Sequence, residues 1–382
     1  MKILKEISTI GLGDIVGSGI AAAFWFYLAS IVTPSDYGQI HYLISIGVLT
    51  STFTLLATQN VLVVYTAKNN AIVKKLLSIS ILSSLVVLVI CTLFFNMLNV
   101  GLLVLGITLF TYGISKNQGQ KAFKKYSIFT ILQKSLTVIF ALLGYHFFGI
   151  DGIIYGIAFS YFIYLKHVIE DLKISSMNYS ELKIYIHELK INKNFIISNY
   201  FLMITNSITH QVDKILVVPI LGFAILGNYS LALQVITLLS ATSGIIHKFL
   251  LPHAVHGNIS KSLRRNTIFL SFGFVFVGVV IFPMIIPIFF QEYVEVIEII
   301  QIMSFSVIPI TIYLFYYTKF LALENAKTPL HAGIISSSVM ITGMLVLGSL
   351  FGAKGIAITH VIAYSSACIF AFFMDKKFQN SS

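Results

Sequence analysis

The chain has 382 residues, 57% of them hydrophobic and 10% charged, with a net charge of +11 and a mean hydropathy of +0.91. A soluble domain carries about 25% charged residues, so this composition is that of an integral membrane protein. Cys91 and Cys368 sit in separate apolar runs, which implies neither a disulfide framework nor a metal site. No Gly-Lys-Ser/Thr phosphate loop, zinc spacing or His-Glu helix motif is present, so no metal or other cofactor is expected and the chain does not read as an enzyme.

Apolar runs of about 20 residues, each able to cross a hydrocarbon core of about 30 Å, recur from end to end. Strand alternation is missing, so helices must satisfy the backbone in lipid. The short basic start, Met1 to Glu6, leads into a helix with no small-residue cleavage site and does not read as a secretory signal. In chain order, the pattern predicts spans over 11–33, 38–66, 76–95, 98–115, 127–147, 151–168, 195–221, 224–248, 267–290, 295–320, 328–350 and 354–374. Lysines crowd alternate connections, from Lys2 and Lys5 through Lys116, Lys121, Lys124 and Lys125 to Lys376 and Lys377. The opposite connections (TPSDYG, FNMLN, YHFFGID, LGFAILG, FQEYVE) hold no Lys or Arg, and Lys354 alone breaks the rule. The positive-inside rule therefore puts both termini in the cytoplasm of a multi-pass protein of the cytoplasmic membrane. The basic balance is a topology signal, and no nucleic-acid partner is expected.

The chain repeats itself. FGIDGI (Phe148 to Ile153) joins the fifth and sixth spans as FGAKGI (Phe351 to Ile356) joins the eleventh and twelfth. The same shift matches Lys116 to Lys319, Lys124 to Lys327, Ser135 to Ser338 and Tyr161 to Tyr364, and YGQIHY (Tyr37 to Tyr42) pairs loosely with LGNYSL (Leu226 to Leu231). Six spans per half is an even number, so the copies run the same way, related by an axis along the membrane normal. The expected fold is an all-α polytopic membrane protein of twelve helices in two six-helix bundles, 1–169 and 195–382. The substrate path is expected between the halves. Between them, 170–194 forms a cytoplasmic linker whose Leu182, Tyr185, Ile186 and Leu189, with Ser180 as cap, describe an amphipathic helix.

Polar residues inside the spans are the candidate site. On the seventh, Asn199, Asn206, His210, Asp213 and Lys214 share about one-third of the helix surface. Charges there cost roughly 2.5–3.5 kcal/mol each near the bilayer centre and normally face a bundle interior or wet cavity. Asp213 and Lys214 diverge by about 100° and cannot fully stack, while both can reach His210 at i−3 and i−4. Lys214 either lines a lumen or snorkels to the outer headgroups; the stripe favours the lumen. On the second span His41, Ser45, Thr52 and Gln59 lie within about 40° of one line. The first presents Asp14, Gly17, Ser18, Ala21 and Trp25, suited to close packing or to a lumen. Lys134, with Ser127, Thr130 and Thr137 on its side of the fifth span, either snorkels or faces a lumen. Tyr313, Tyr316 and Tyr317 read as core or interfacial tyrosines, and His360 as a satisfied core histidine. Pro283, Pro287 and Pro309 should kink the ninth and tenth spans.

KEISTIGLGDIVGSGIAAAFWFYLASIVTPSDYGQIHYLISI resembles the first two helices of the lipid-linked oligosaccharide flippases, the polysaccharide transporters of the multidrug/oligosaccharidyl-lipid/polysaccharide exporter superfamily. HQVDKILVVPILGFAILGNYSLALQV resembles the start of their second half, where an acid-base pair precedes a helix break. The resemblance implies two six-helix bundles around a cationic cavity. It also implies transport of a polyprenyl-(pyro)phosphate-linked glycan from the cytoplasmic to the outer leaflet, with glycosyltransferases or a glycan polymerase as partners beside the membrane lipids. Unlike the family, this chain has no arginine in its spans, since Arg264 and Arg265 fall in a loop. Lys214, His210, Asp213 and Lys134 are then the expected phosphate or acidic-sugar contacts, and Asn206, His41, Thr52, Gln59, Trp25 and Asp14 the expected glycan-side residues. A cation-coupled drug exporter of the same superfamily, a peptidoglycan-precursor flippase, and a non-transporting partner of a glycan polymerase are the rival readings.

Overall fold

A computed structural model describes residues 2–55, 59–68, 72–173, 179–255, 261–323, 325 and 327–381. Every regular element among them is helical. Seven helices are long and apolar enough to cross a membrane. Three of these, Phe123–Leu172, Ile196–Ala241 and Lys327–Phe378, have 50, 46 and 52 residues, about twice what a ~30 Å core requires at 1.5 Å per residue. Each breaks near its middle at a glycine with positive φ: Gly149, Gly222 and Gly352. Each is therefore a hairpin of two crossings. Two bent pairs, Pro34–Thr54 with Gln59–Ala67 and Val296–Ser304 with Val307–Ala322, supply one crossing apiece. With the single helices Gly11–Ile31, Ile72–Phe95, Leu98–Gly119 and Ser262–Phe289, the described residues make twelve, and Arg264 and Arg265, expected in a loop, lie in the first turn of the last of these helices.

Local chemistry sets the breaks. A left-handed residue ends a helix cheaply only as glycine. Thr33 closes the first turn of the second crossing by accepting the Asp36 N–H at 3.2 Å, and Pro34 occupies the first helical position, where its missing N–H costs nothing. In the ninth crossing Pro283 cannot donate to the Val279 carbonyl. The helix widens into a π turn over Val277–Ile281, and the Gln301 amide donates to that carbonyl at 3.2 Å. The tenth bends by 41° just before Pro309. The linker is helical from Tyr179 and continuous with the seventh crossing; the side chains of its amphipathic face lie outside the described residues.

The third crossing shows how such helices divide their faces. It buries Leu76, Leu77, Ser80 and Ser84 and exposes Leu82, Val86, Val89 and Leu93. A long exposed stripe of this kind is stable only against lipid.

Close packing gathers the chain into two units. The first holds Met1–Phe24 and Leu43–Ser207; the second holds Trp25–Tyr42 and Ile208–Ser382. The tip of the first helical hairpin thus lies in the second unit. There the Tyr293 hydroxyl donates to the Val32 carbonyl at 3.1 Å. A Cβ on Gly38 would collide with the Phe223 carbonyl, and one on Gly227 with the Pro34 carbonyl. Under the pairing of Tyr37–Tyr42 with Leu226–Leu231, Gly38 matches Gly227 and Pro34 matches Phe223, so one contact is made twice in mirror roles.

The repeat is visible inside each unit. Gly152 presses on the Gly144 carbonyl in the first hairpin of this kind, and Gly355 presses on the Leu347 carbonyl at the matching positions of the second. Lys116 bridges Asp171 at 2.5 Å, with the Tyr112 hydroxyl donating to the same carboxylate at 2.8 Å. Lys319, the repeat partner of Lys116, bridges Asp375 at 2.5 Å. Each bridge ties the fourth helix of its copy to the end of the sixth.

Candidate functional site

The second unit holds a half-open cavity of about 480 Å³. The seventh crossing supplies Thr209, His210, Asp213 and Lys214; the eighth supplies Gln234, Thr237 and Ser240; the twelfth supplies His360 and Tyr364. Gly222 turns the chain so that the seventh and eighth crossings face each other, which brings Tyr229 opposite Asp213.

Asp213 is the hub. Its side chain is 5% exposed. One carboxylate oxygen accepts the Lys214 backbone N–H at 2.8 Å and the Lys214 ammonium at 3.2 Å. The other accepts the Tyr229 hydroxyl at 2.9 Å. The Lys214 ammonium also donates to the His210 backbone carbonyl at 2.5 Å. Adjacency on the helix therefore did not keep the acid and base apart, because the long lysyl stem curls back around the turn. Lys214 reaches residue 210 as its spacing suggests, but at the carbonyl rather than the ring. Its side chain is 16% exposed, so it lines the cavity rather than reaching freely outward.

Two residues gain a role that the sequence did not show. Tyr229 seals one side of Asp213. His360, read as a core histidine, is 2% exposed, yet it lines the cavity with its ring 4.7 Å from that of Tyr364 and its Nδ1 without a hydrogen-bond partner. The signal available was the i, i+4 spacing of His360 and Tyr364 on one helix face.

Trp25 and His41 come together in the hairpin tip of the same unit. Their rings lie 4.6 Å apart, and the Tyr37 ring meets His41 at 4.5 Å. His41 is 6% exposed, and among the described residues its Nε2 has no hydrogen-bond partner. It is caged by aromatics.

The first unit gathers a different pair. The Tyr126 hydroxyl donates to Asp14 at 3.2 Å. Gly13 packs on Ser127, and Gly17 lies against the side chains of Thr130 and Lys134. The small-and-polar face of the first helix and the polar face of the fifth are thus one seam. Among the described residues no carboxylate pairs with Lys134 and no hydrogen bond engages it. Elsewhere in this unit the buried Thr52 hydroxyl donates to Ser207 at 2.8 Å. Gln59 is exposed and donates to Gln118 at 3.3 Å, and Asn206 is exposed. Thr52 lies near the end of the helix Pro34–Thr54 and Gln59 opens the next described helix, Gln59–Ala67. No group of three or more His, Cys, Asp or Glu side chains could hold a metal among the described residues.

Compared with solved structures, the chain is similar to the lipid II flippase MurJ in an inward closed conformation, with a TM-score of 0.69 at 16% identity over 96% of this chain and 87% of that one. It is also similar to an inward-facing multidrug resistance MATE family transporter (0.67, 12% identity, 95% and 94%). A third likeness is to a transporter from Pyrococcus furiosus described as having a binding pocket of reverse polarity (0.51, 14%, 98% and 95%). The chain shares the fold of these solved transporters. No family model and no curated protein matches the chain. At these identities the likeness is one of fold, and the cargo must be argued from the side chains.

Proposed function

We propose that the protein is a flippase for a polyprenyl-(pyro)phosphate-linked oligosaccharide, moving it from the cytoplasmic to the outer leaflet for surface-glycan synthesis. The observation that carries this is Lys134. It is a cation inside a crossing with no counter-ion among the described residues, and such a charge costs roughly 2.5–3.5 kcal/mol near the bilayer centre. An anionic group at the seam of Gly17, Thr130 and Lys134 offsets that cost, and a lipid phosphate, which cannot cross hydrocarbon unaided, is such a group. An exporter of cationic drugs would present a free carboxylate instead. The two intramembrane candidates are both engaged, Asp14 by Tyr126 and Asp213 by Lys214 and Tyr229. Both termini are cytoplasmic in this reading, and enzymes that build and polymerise the glycan act before and after it.

The test is a reconstituted flipping assay with Lys134→Ala and Lys134→Arg at matched protein levels. The alanine variant is expected to lose about tenfold or more of the rate, and the arginine variant to keep most of it. Full activity of Lys134→Ala, or proton- or sodium-driven efflux of cationic dyes by the wild type, sinks the reading.

A further inference from the structure

We propose that the cavity of the second unit is a saccharide site, and that it takes an uncharged, hydroxyl-rich sugar of the carried glycan. This rests on the reading of the cargo as a lipid-linked glycan. It adds that charge and sugar are recognised in different places.

The formal charges at the cavity cancel. The Lys214 ammonium is held by Asp213 and by the His210 carbonyl, so it offers an incoming phosphate little net attraction. Asp213 already accepts three donors, the Lys214 N–H, the Lys214 ammonium and the Tyr229 hydroxyl. It therefore has little left for a cationic ligand.

The polar groups that remain open are neutral, and they sit among the apolar side chains of Leu233, Ile236, Ile310 and Met340. Among the described residues no hydrogen bond engages the Gln234 amide, the Tyr364 hydroxyl or the His210 ring. The Gln234 amide, the Tyr364 hydroxyl and the His210 ring come from three helices and all belong to the lining of one cavity. The Ser240 hydroxyl and His360 Nδ1 also have no hydrogen-bond partner among the described residues, but both atoms are buried and present no surface to an occupant. Thr209 and Thr237, by contrast, are spent on Ser337 and on the Leu233 carbonyl.

An apolar occupant would strand the unengaged groups, which is the arrangement a binding site avoids. A ligand bearing several hydroxyls satisfies them, since each hydroxyl both donates and accepts. An amide, a phenol and an imidazole beside aromatic faces at Tyr364 and His360 can hold a pyranose ring by its edge and its face. A volume of about 480 Å³ falls in the range of small-molecule sites and leaves room for a short saccharide. Sites built to hydrogen-bond a hydroxyl reject analogues that lack it, so this cavity selects among glycans.

Equilibrium binding of radiolabelled probes to the full chain in nanodiscs tests this. The probes are undecaprenyl pyrophosphate alone, the same lipid bearing a neutral N-acetylglucosamine–galactose disaccharide, the same lipid with a uronic acid in place of the galactose, and the free neutral disaccharide. The neutral glycan is expected to raise affinity about tenfold over the bare lipid, the worth of one or two added hydrogen bonds, and the acidic one to raise it less. In Gln234→Ala and in Tyr364→Phe the ratio of glycosylated to bare affinity should fall towards one; being a ratio, it does not move when a variant merely loses folded protein. A wild-type ratio near one, a ratio unchanged in both variants, or an equal gain from the acidic sugar overturns the site. Failure of the bare lipid to bind, with the free disaccharide still bound and lost in Gln234→Ala, overturns the flippase reading and leaves the saccharide site standing.

Discussion

Lys134 in the first unit and Lys214 in the second are both lysines inside crossings, and they are in opposite states. Lys214 is neutralised within its own helix turn, and its counter-ion is fixed by a tyrosine from the next crossing. Lys134 has neither, and leans on Gly17 and Thr130. At the repeat position of Lys134 stands Ser337, whose hydroxyl is bound to Thr209. The duplication thus preserved the frame, in the glycine-tight hairpins and the paired lysine–aspartate bridges, while the charge was left open in one copy and closed in the other.

That contrast can be broken from either side. Giving Lys134 a counter-ion of its own, with Thr130→Asp one helical turn before it, copies the state of the second unit into the first. Flipping in proteoliposomes should fall by about tenfold or more while the thermal midpoint stays or rises; an unchanged rate means that Lys134 does not meet the anion. Opening the closed site is the converse. Asp213→Ala strands Lys214 and the Tyr229 hydroxyl, and breaking a buried pair from one side costs about 3–5 kcal/mol, read as a large drop in thermal midpoint. Adding Lys214→Met to Asp213→Ala should recover most of it, and failure to recover would show that the pair is not what stabilises the turn. The smallest effect belongs to the bridges shared by both copies. Lys116 and Lys319 are 31% and 35% exposed at the side chain but Asp171 and Asp375 only 11%, so Lys116→Met and Lys319→Met, each leaving a largely buried carboxylate without its cation, should cost about 1–3 kcal/mol. A larger loss in either would mean that the bridge does more than tie two helix ends.

Much of the frame was legible in the sequence. Apolar runs of spanning length, lysines on alternate connections, and the paired FGIDGI and FGAKGI motifs carry crossings and repeat without tertiary information, because lipid forces the backbone into helices of set length. The site was legible only in part. A stripe on one helix marked His210, Asp213 and Lys214, since it needs only the 100° period. Tyr229, Gln234 and His360 were not marked, because a lone polar residue on an apolar helix gains meaning only from what the neighbouring helix places opposite it. The stripe from His41 to Gln59 was legible as polar positions but not by what each one meets: on the helix Pro34–Thr54 His41 enters an aromatic cage with Trp25 and Tyr37 while Thr52 meets Ser207, and Gln59, at the start of the next described helix, meets Gln118.

The hairpin tip also sets a timetable for biogenesis. Val32 and Tyr293, which clasp there, are 261 positions apart, and Pro34 and Gly38 meet Gly227 and Phe223 from the other half of the chain. At a synthesis rate of about 5–20 residues per second, Tyr293 leaves the ribosome roughly ten to fifty seconds after Val32. Throughout that interval the first two crossings are already made, and the histidine and tyrosine at their tip wait without the surface that will enclose them. The joint stays unfinished until the connection after the ninth crossing arrives to close it.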